Sequence, residues 1–177
     1  MKRLGVFCGS RDGGRESYGS LARELGKSLA CRGVGLVYGG GRAGLMGTLA
    51  NSVLENNGDV LGVIPRFLCR PEVVHKGLTS LKVVKDMHER KRLMYDSADA
   101  FAVLPGGLGT LDEAVEIINW AHLSLHQKPI CLLDVDGYWS LFCDFLSNTG
   151  REGFSDLGDK GLYSVAEDPG QMLDLLL

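Results

Sequence analysis

Short apolar runs and stretches of helical periodicity take turns along almost the whole chain. Leu4 to Cys8 is an apolar run closed by Gly9-Ser10. After it Tyr18, Leu21, Ala22, Leu25 and Leu29 recur along one helical face until Gly33 stops the pattern. Val34 to Tyr38 predicts a second buried strand, and Leu45, Met46, Leu49, Ala50 and Val53 predict the next helix. Val60 to Ile64 predicts a third strand, halted by Pro65. Residues 66 to 80 show no period and read as a long loop with at most a turn of helix. A strand at Leu81 to Val84 follows, then Asp86 capping a helix to about Ser97, then the wholly apolar strand Ala100 to Leu104. The run Pro105-Gly106-Gly107-Leu108-Gly109 delivers the chain into a helix expected from Thr110 to about Leu125. Ile130 to Leu133 predicts a strand, Tyr138 to Leu146 a helix and Leu162 to Val165 a short strand. Asp168-Pro169 has the form of an N-cap with proline at the first helical position.

Apolar strands alternating with amphipathic helices imply an α/β, Rossmann-like fold: a parallel sheet with helices on both faces. No linker or internal repeat breaks the pattern, so residues 1–177 are expected to form a single nucleotide-binding domain, in keeping with ~150 residues per domain.

Composition sharpens this picture at three points. The 25 glycines in 177 residues are about twice the usual share of ~7%, so many backbone positions turn tightly or approach something closely. The balance of 19 basic against 22 acidic residues, a net charge of -3, lacks the single-sign field of a protein that grips nucleic acid. Cys8, Cys31, Cys69, Cys131 and Cys143 form no CxxC pair and are odd in number. A disulfide framework or a zinc site is therefore not expected; the cysteines read as reduced core residues of a cytoplasmic protein. Lys2 and Arg3 before an apolar stretch faintly imitate a signal peptide, but Arg11 and Asp12 end the run. No stretch approaches the ~18 apolar residues of a membrane span, so no membrane association is expected.

Ligands of open α/β sheets bind beyond the carboxyl ends of the strands, where loops enter helices. Three such loops are glycine-rich: Gly9 to Gly14, Gly39 to Gly44 and Pro105 to Gly109. The second matches GxGxxG, and Asp59 lies 20 residues after Gly39. A ribose-binding acid should follow its strand, however, and Asp59 precedes the Val60 strand, so these glycines serve either a ligand or plain helix–sheet packing. Gly26-Lys27-Ser28 falls inside a helix and lacks the upstream glycine of a P-loop. The third loop is the strongest local signal: a strand, small residues whose amides converge on an anion, and a helix N-terminus adding positive charge. Thr110-Leu111-Asp112-Glu113 also reads as a capping box, with Glu113 reaching back to the Thr110 amide. Upstream, Met87, Arg90, Lys91 and Met94 share one helical face, placing Arg90 and Lys91 at the edge of a packing surface. For Lys91 the alternative is a snorkelling side chain with a solvated head. His88, His122 and His126 lack metal-ligand spacing, and Ser10 has no evident triad partner.

Met87-His88-Glu89-Arg90-Lys91 together with Pro105-Gly106-Gly107-Leu108-Gly109-Thr110-Leu111-Asp112-Glu113 closely resembles the paired signature of the Lonely Guy family. These are the cytokinin riboside 5′-monophosphate phosphoribohydrolases, long mislabelled lysine decarboxylases. The resemblance also covers Phe7 to Ser10, Tyr38 to Gly47, Gly62 to Pro65 and His126 to Pro129. It implies hydrolysis of the N-glycosidic bond of an adenosine-type nucleoside 5′-monophosphate, releasing free base and ribose 5-phosphate. On matching positions it implies that Arg90 and Glu113 are catalytic, that Gly106, Gly107, Gly109 and Thr110 bind phosphate, and that Glu72 and Lys91 contact substrate. Leu108 and Asn119 also fall among the substrate-binding positions, where the family often has Tyr and Thr, and bear on base preference. No metal or redox cofactor is implied.

The chemistry agrees, since breaking this bond builds positive charge on the sugar and a nearby carboxylate stabilises it. A homodimer is expected: Leu111, Ala114, Val115, Ile117, Ile118, Trp120, Ala121 and Leu125 make a stripe wider than one sheet face needs. The competing readings are a lysine decarboxylase, for which no residue is marked to hold pyridoxal phosphate, and a non-enzymatic nucleotide or cofactor carrier on the same fold.

Overall fold

The computed structural model describes residues 1–155 and 161–177. Its strands are β1 (Arg3–Phe7), β2 (Gly35–Tyr38), β3 (Val60–Pro65), β4 (Ser80–Val84), β5 (Ala100–Val103), β6 (Ile130–Leu133) and β7 (Ser164–Ala166). They form one sheet, paired in parallel throughout, in the order β4-β3-β2-β1-β5-β6-β7. The helices are α1 (Glu16–Cys31), α2 (Gly44–Glu55), α3 (Met87–Ser97), α4 (Leu108–His122), α5 (Ser140–Arg151) and α6 (Pro169–Leu176).

β1, β2, β3, β5 and β6 are apolar because both faces of the sheet are covered. On one face Leu4, Val6, Leu36 and Tyr38 pack against Leu25 and Leu29 of α1, Leu49 and Val53 of α2 and Leu173 of α6. On the other, Phe7, Val37 and Phe101 pack with Met94 of α3, Ala114, Ile117 and Ile118 of α4, and Trp139. Edge strand β4 is largely exposed and carries Lys82, a charge that discourages edge-to-edge pairing. No helix among the described residues is long and apolar enough to cross a membrane.

The chain lays down β1 to β4 in one direction, then returns through α3 to place β5 on the other side of β1. The switch point therefore lies between β1 and β5, where the Gly9 and Pro105 loops diverge. Asp86 and Asp168 cap their helices, each accepting from an amide three residues on. Three expectations need correction. Helix α4 begins at Leu108, with Gly107 as its N-cap, and ends at His122, so Thr110 lies inside the first turn. Helix α5 starts at Ser140, because the Trp139 amide is taken by Asp134 Oδ1 at 2.7 Å. The stretch from Arg66 to the start of β4 is, as expected, a loop with a turn of helix, the 3-10 turn Arg66–Leu68, and it also makes a bridge from Val74 to Gly41. Of the five free cysteines only Cys8 and Cys131 are buried, and Cys31, ending α1, is exposed.

Candidate active site

Arg90 projects from the inner face of α3 towards the carboxyl end of β2, and the chain makes room for it there. A Cβ on Gly39 would lie 2.5 Å from Arg90 Nη2, so glycine at 39 admits the guanidinium. Nη2 meets Glu113 Oε1 at 3.0 Å, with the two side chains only 12% and 8% exposed. Arg90 Nη1 lies 3.7 Å from Met87 Sδ, and Nε is buried without a partner, leaving one donor of the cation unanswered by protein.

Glu113 does not close a capping box. Its carboxylate is spent on Arg90, because an isolated guanidinium buried here would be far more costly than an uncapped amide at an exposed helix start. Burial pushes the Glu113 carboxyl up to about 7, against the pull of Arg90. Beside it Cys8 lines the same cleft, and burial, then the charge of Glu113, pushes its thiol up so that it stays protonated.

Around the pair lies a cleft of about 520 Å3. Its floor is the end of β1, one wall is Gly39, Gly41 and Met46, and the lip is Leu68, Glu72 and Val73. The remaining wall is Gly107, Leu108, Gly109 and Thr110, the first turn of α4, whose amides lack partners within the helix. A second cleft of about 480 Å3 opens on the other side of this loop, between Gly9–Gly13 and Pro105–Leu108, and shares Ser10, Gly107 and Leu108 with the first. Gly106 faces this second cleft and is small because a Cβ there would collide with the Thr110 side chain.

The fold thus brings Glu72, Arg90, Gly107, Leu108, Gly109, Thr110 and Glu113 to one cleft, with Gly106 at its back. Lys91 and Asn119 do not line it. Lys91 is neither solvated nor in the cleft: it is 14% exposed and bonded to Asp112 Oδ2 at 2.9 Å and Glu116 Oε1 at 3.2 Å, tying α3 to α4. Burial alone would lower the Lys91 ammonium, and these two carboxylates more than reverse that. Asn119 lies on the outer face of α4 in a shallow groove with Leu108, Glu116 and Trp120. Both point away from the inward direction that Arg90 and Glu113 take: at ~100° per residue Lys91 stands about 100° round α3 from Arg90, and Asn119, six residues after Glu113, about 120° round α4 from it. Asp59 sits at the opposite end of the sheet, bonded to Arg3 at 3.5 Å, so the GxGxxG loop has no ribose-binding acid there. Among the described residues no cluster of three or more His, Cys, Asp or Glu is arranged to hold a metal ion. The family resemblance took in Cys8 and Gly39, but that Cys8 lines the cleft and that Gly39 makes room for Arg90 was not legible in the sequence.

Residues 46–176 match the family model described as "Possible lysine decarboxylase". The chain is 46% identical over 176 residues to the "Probable cytokinin riboside 5'-monophosphate phosphoribohydrolase" of Oryza sativa subsp. japonica, covering 99% of this chain and 76% of the relative. It is 45% identical over 168 residues to the cytokinin riboside 5′-monophosphate phosphoribohydrolase of Rhodococcoides fascians, covering 94% and 85%. The chain belongs to this phosphoribohydrolase family. The two motifs that carry the Lonely Guy resemblance are the two that build the Arg90–Glu113 pair and the loop beside it. The molybdenum cofactor binding protein from Rippkaea orientalis superposes with a TM-score of 0.76 over 99% of this chain and 94% of that one. At 20% identity that likeness shows the shared Rossmann-like fold alone.

Proposed function

We propose that the protein hydrolyses the N-glycosidic bond of an adenosine 5′-monophosphate, plain or N6-modified, to free base and ribose 5-phosphate. The observation that carries this reading is the buried Arg90–Glu113 pair in a cleft walled by the N-terminus of α4. The 5′-phosphate takes the amides of the Gly107–Thr110 turn, where the helix dipole favours an anion. That seat places the ribose over Glu113. As the bond to the base nitrogen breaks, its electron pair leaves with the base and positive charge develops at the anomeric carbon. Water adds to that carbon and gives up a proton, and the departing nitrogen gains one. A carboxylate ~4 Å from the developing charge, at an effective dielectric of ~20, contributes about 4 kcal/mol, on the order of 10³ in rate. Glu113 also stands where it can accept the proton of the attacking water, and Arg90, which lines the same cleft, presents guanidinium donors to an oxygen of the substrate. Each of these steps uses side chains, backbone and water.

The proposal includes a homodimer. Leu108, Val115, Leu123 and Leu125 are exposed along α4 and the turn after it, flanking the groove that holds Asn119 and Trp120. A second copy seated there would bury these apolar groups and bring Asn119, and the Lys91 edge, close to an assembled site. The five free cysteines fit a cytoplasmic protein, and the net charge of -3 speaks for a small nucleotide ligand rather than nucleic acid. The test is chromatographic release of free base from a panel of purine and pyrimidine monophosphates, with and without N6-prenyl groups. Release from an adenosine monophosphate that vanishes in Glu113→Gln is the expected result. A wild-type protein that binds these nucleotides and releases no base would make it a carrier.

A further inference from the structure

A side-chain hydroxyl of the loop between β6 and α5 reaches the Pro105–Gly109 loop: Tyr138 donates to the carbonyl oxygen of Gly106. Tyr138 is firmly placed. Its ring meets Tyr18 edge-on at 5.6 Å and Trp139 at 5.0 Å between centroids. Asp136 and Gly137 turn the chain in the left-handed region, with φ of 53° and 72°. Asp136 is tied to the start of α1 by Arg15 Nη1 and Ser17 Oγ, each at 3.1 Å.

Gly106 and Gly107 are consecutive glycines, so the peptide joining them meets little steric resistance to turning over. In a trans peptide the carbonyl of one residue and the N–H of the next point in opposite directions. With the Gly106 oxygen drawn towards Tyr138, the Gly107 N–H faces away from it. A reversed peptide would set the carbonyl oxygen where that N–H stands, and an anion on the α4 N-terminus would then face negative partial charge instead of a donor.

We infer that Tyr138 is a positioning residue for the 5′-phosphate: by holding the Gly106 carbonyl it locks the Gly106–Gly107 peptide in the orientation that binds an anion. This rests on the reading of the α4 N-terminus as the phosphate seat. The test compares wild type, Tyr138→Phe and Tyr138→Leu in three measurements: ribose 5-phosphate binding by calorimetry, base release from adenosine 5′-monophosphate, and base release from adenosine. Tyr138→Phe should keep the wild-type melting temperature and bind ribose 5-phosphate about tenfold more weakly. It should lose about tenfold in kcat/KM on the nucleotide, mainly through KM, and leave the slow reaction of adenosine unchanged. A ribose 5-phosphate Kd in Tyr138→Phe within about twofold of wild type overturns the inference, as does weakening seen only in Tyr138→Leu, the mark of a packing role. Tyr138-dependent binding in a protein that releases no base keeps the role of Tyr138 and overturns the hydrolase reading instead.

Discussion

The Gly39–Gly44 loop after β2 and the Pro105–Gly109 loop after β5 look alike as sequence, yet the glycines that face the cleft in each answer opposite demands. In the first loop a side chain would collide with protein. A Cβ on Gly39 would meet Arg90, one on Gly41 would lie 3.1 Å from Met46 Cε, and one on Gly44, whose φ is 61°, would strike the backbone of Arg11. In the second loop Gly106 is crowded by Thr110, but a Cβ on Gly107 or Gly109 would meet nothing within 4 Å, and these two residues line the cleft. A crowded glycine is a requirement of the fold, and a glycine facing empty space keeps backbone donors open to a ligand. The loop that matches the dinucleotide pattern is the crowded one. It shapes the site by admitting a side chain, whereas the Pro105 loop shapes it by leaving room.

The sharpest way to break this contrast is Gly44→Ala. Left-handed strain and the clash with the Arg11 backbone each cost about 1–3 kcal/mol, so thermal denaturation should show a loss of about 3 kcal/mol or more. A loss below about 1 kcal/mol would mean that the two loops are not pinned together. Gly39→Ala should spare most of that stability and strike activity instead. Pushing the guanidinium off Glu113 by an ångström is expected to lower kcat/KM about 10²-fold, read by base release in a protein that still melts cooperatively.

The pH profile sharpens the same point. Since ionised Glu113 is the working form and burial pushes it up to about 7, kcat/KM should fall about tenfold per unit below about pH 7 and level off above it. Gly39→Ala, by moving Arg90 away, should shift that limb to higher pH. The sign for stability is opposite. The native carboxyl sits above its ordinary 4.5, so the folded chain holds the extra proton between about 4.5 and 7 and loses stability as pH rises through that window. Glu113→Gln should remove that slope from denaturation curves measured across the window. The smallest effect is expected at Gly109→Ala. An alanine in the first turn of α4 should raise stability by about 0.5–1 kcal/mol while raising KM for the nucleotide about tenfold. An unchanged KM would show that the space before Gly109 is not the ligand's.

The alternation of strand and helix was legible in the chain because the central strands are buried on both faces and most helices on one, so the two periods are distinct by residue type alone. The caps at Asp86 and Asp168 were equally legible, being bonds to amides three residues away. The start of α4 was not. Thr110 has the chemistry of a cap, but glycine at 107 already serves as one, and Thr110 is drawn into the helix and buried against Gly106. Glu113 shows the same limit more sharply. Thr110 to Glu113 satisfies the local rule for a capping box, and the outcome is decided by a cation 23 residues earlier in the chain that arrives beside it only when α3 packs against the sheet.

The sequence by itself thus determined the parallel α/β architecture, the family and the two motifs that furnish the Arg90–Glu113 pair, since these depend on residue type and on spacings of a few residues. Only the tertiary structure decided that Arg90 faces Glu113 while Lys91 turns to Asp112 and Glu116, that Gly39 exists to admit a guanidinium, and that Tyr138 reaches Gly106. The physical reason is that buried charge and polar backbone must find partners wherever the packed helices and strand ends bring them together. Those meetings are set by the order of strands in the sheet, not by neighbourhood along the chain.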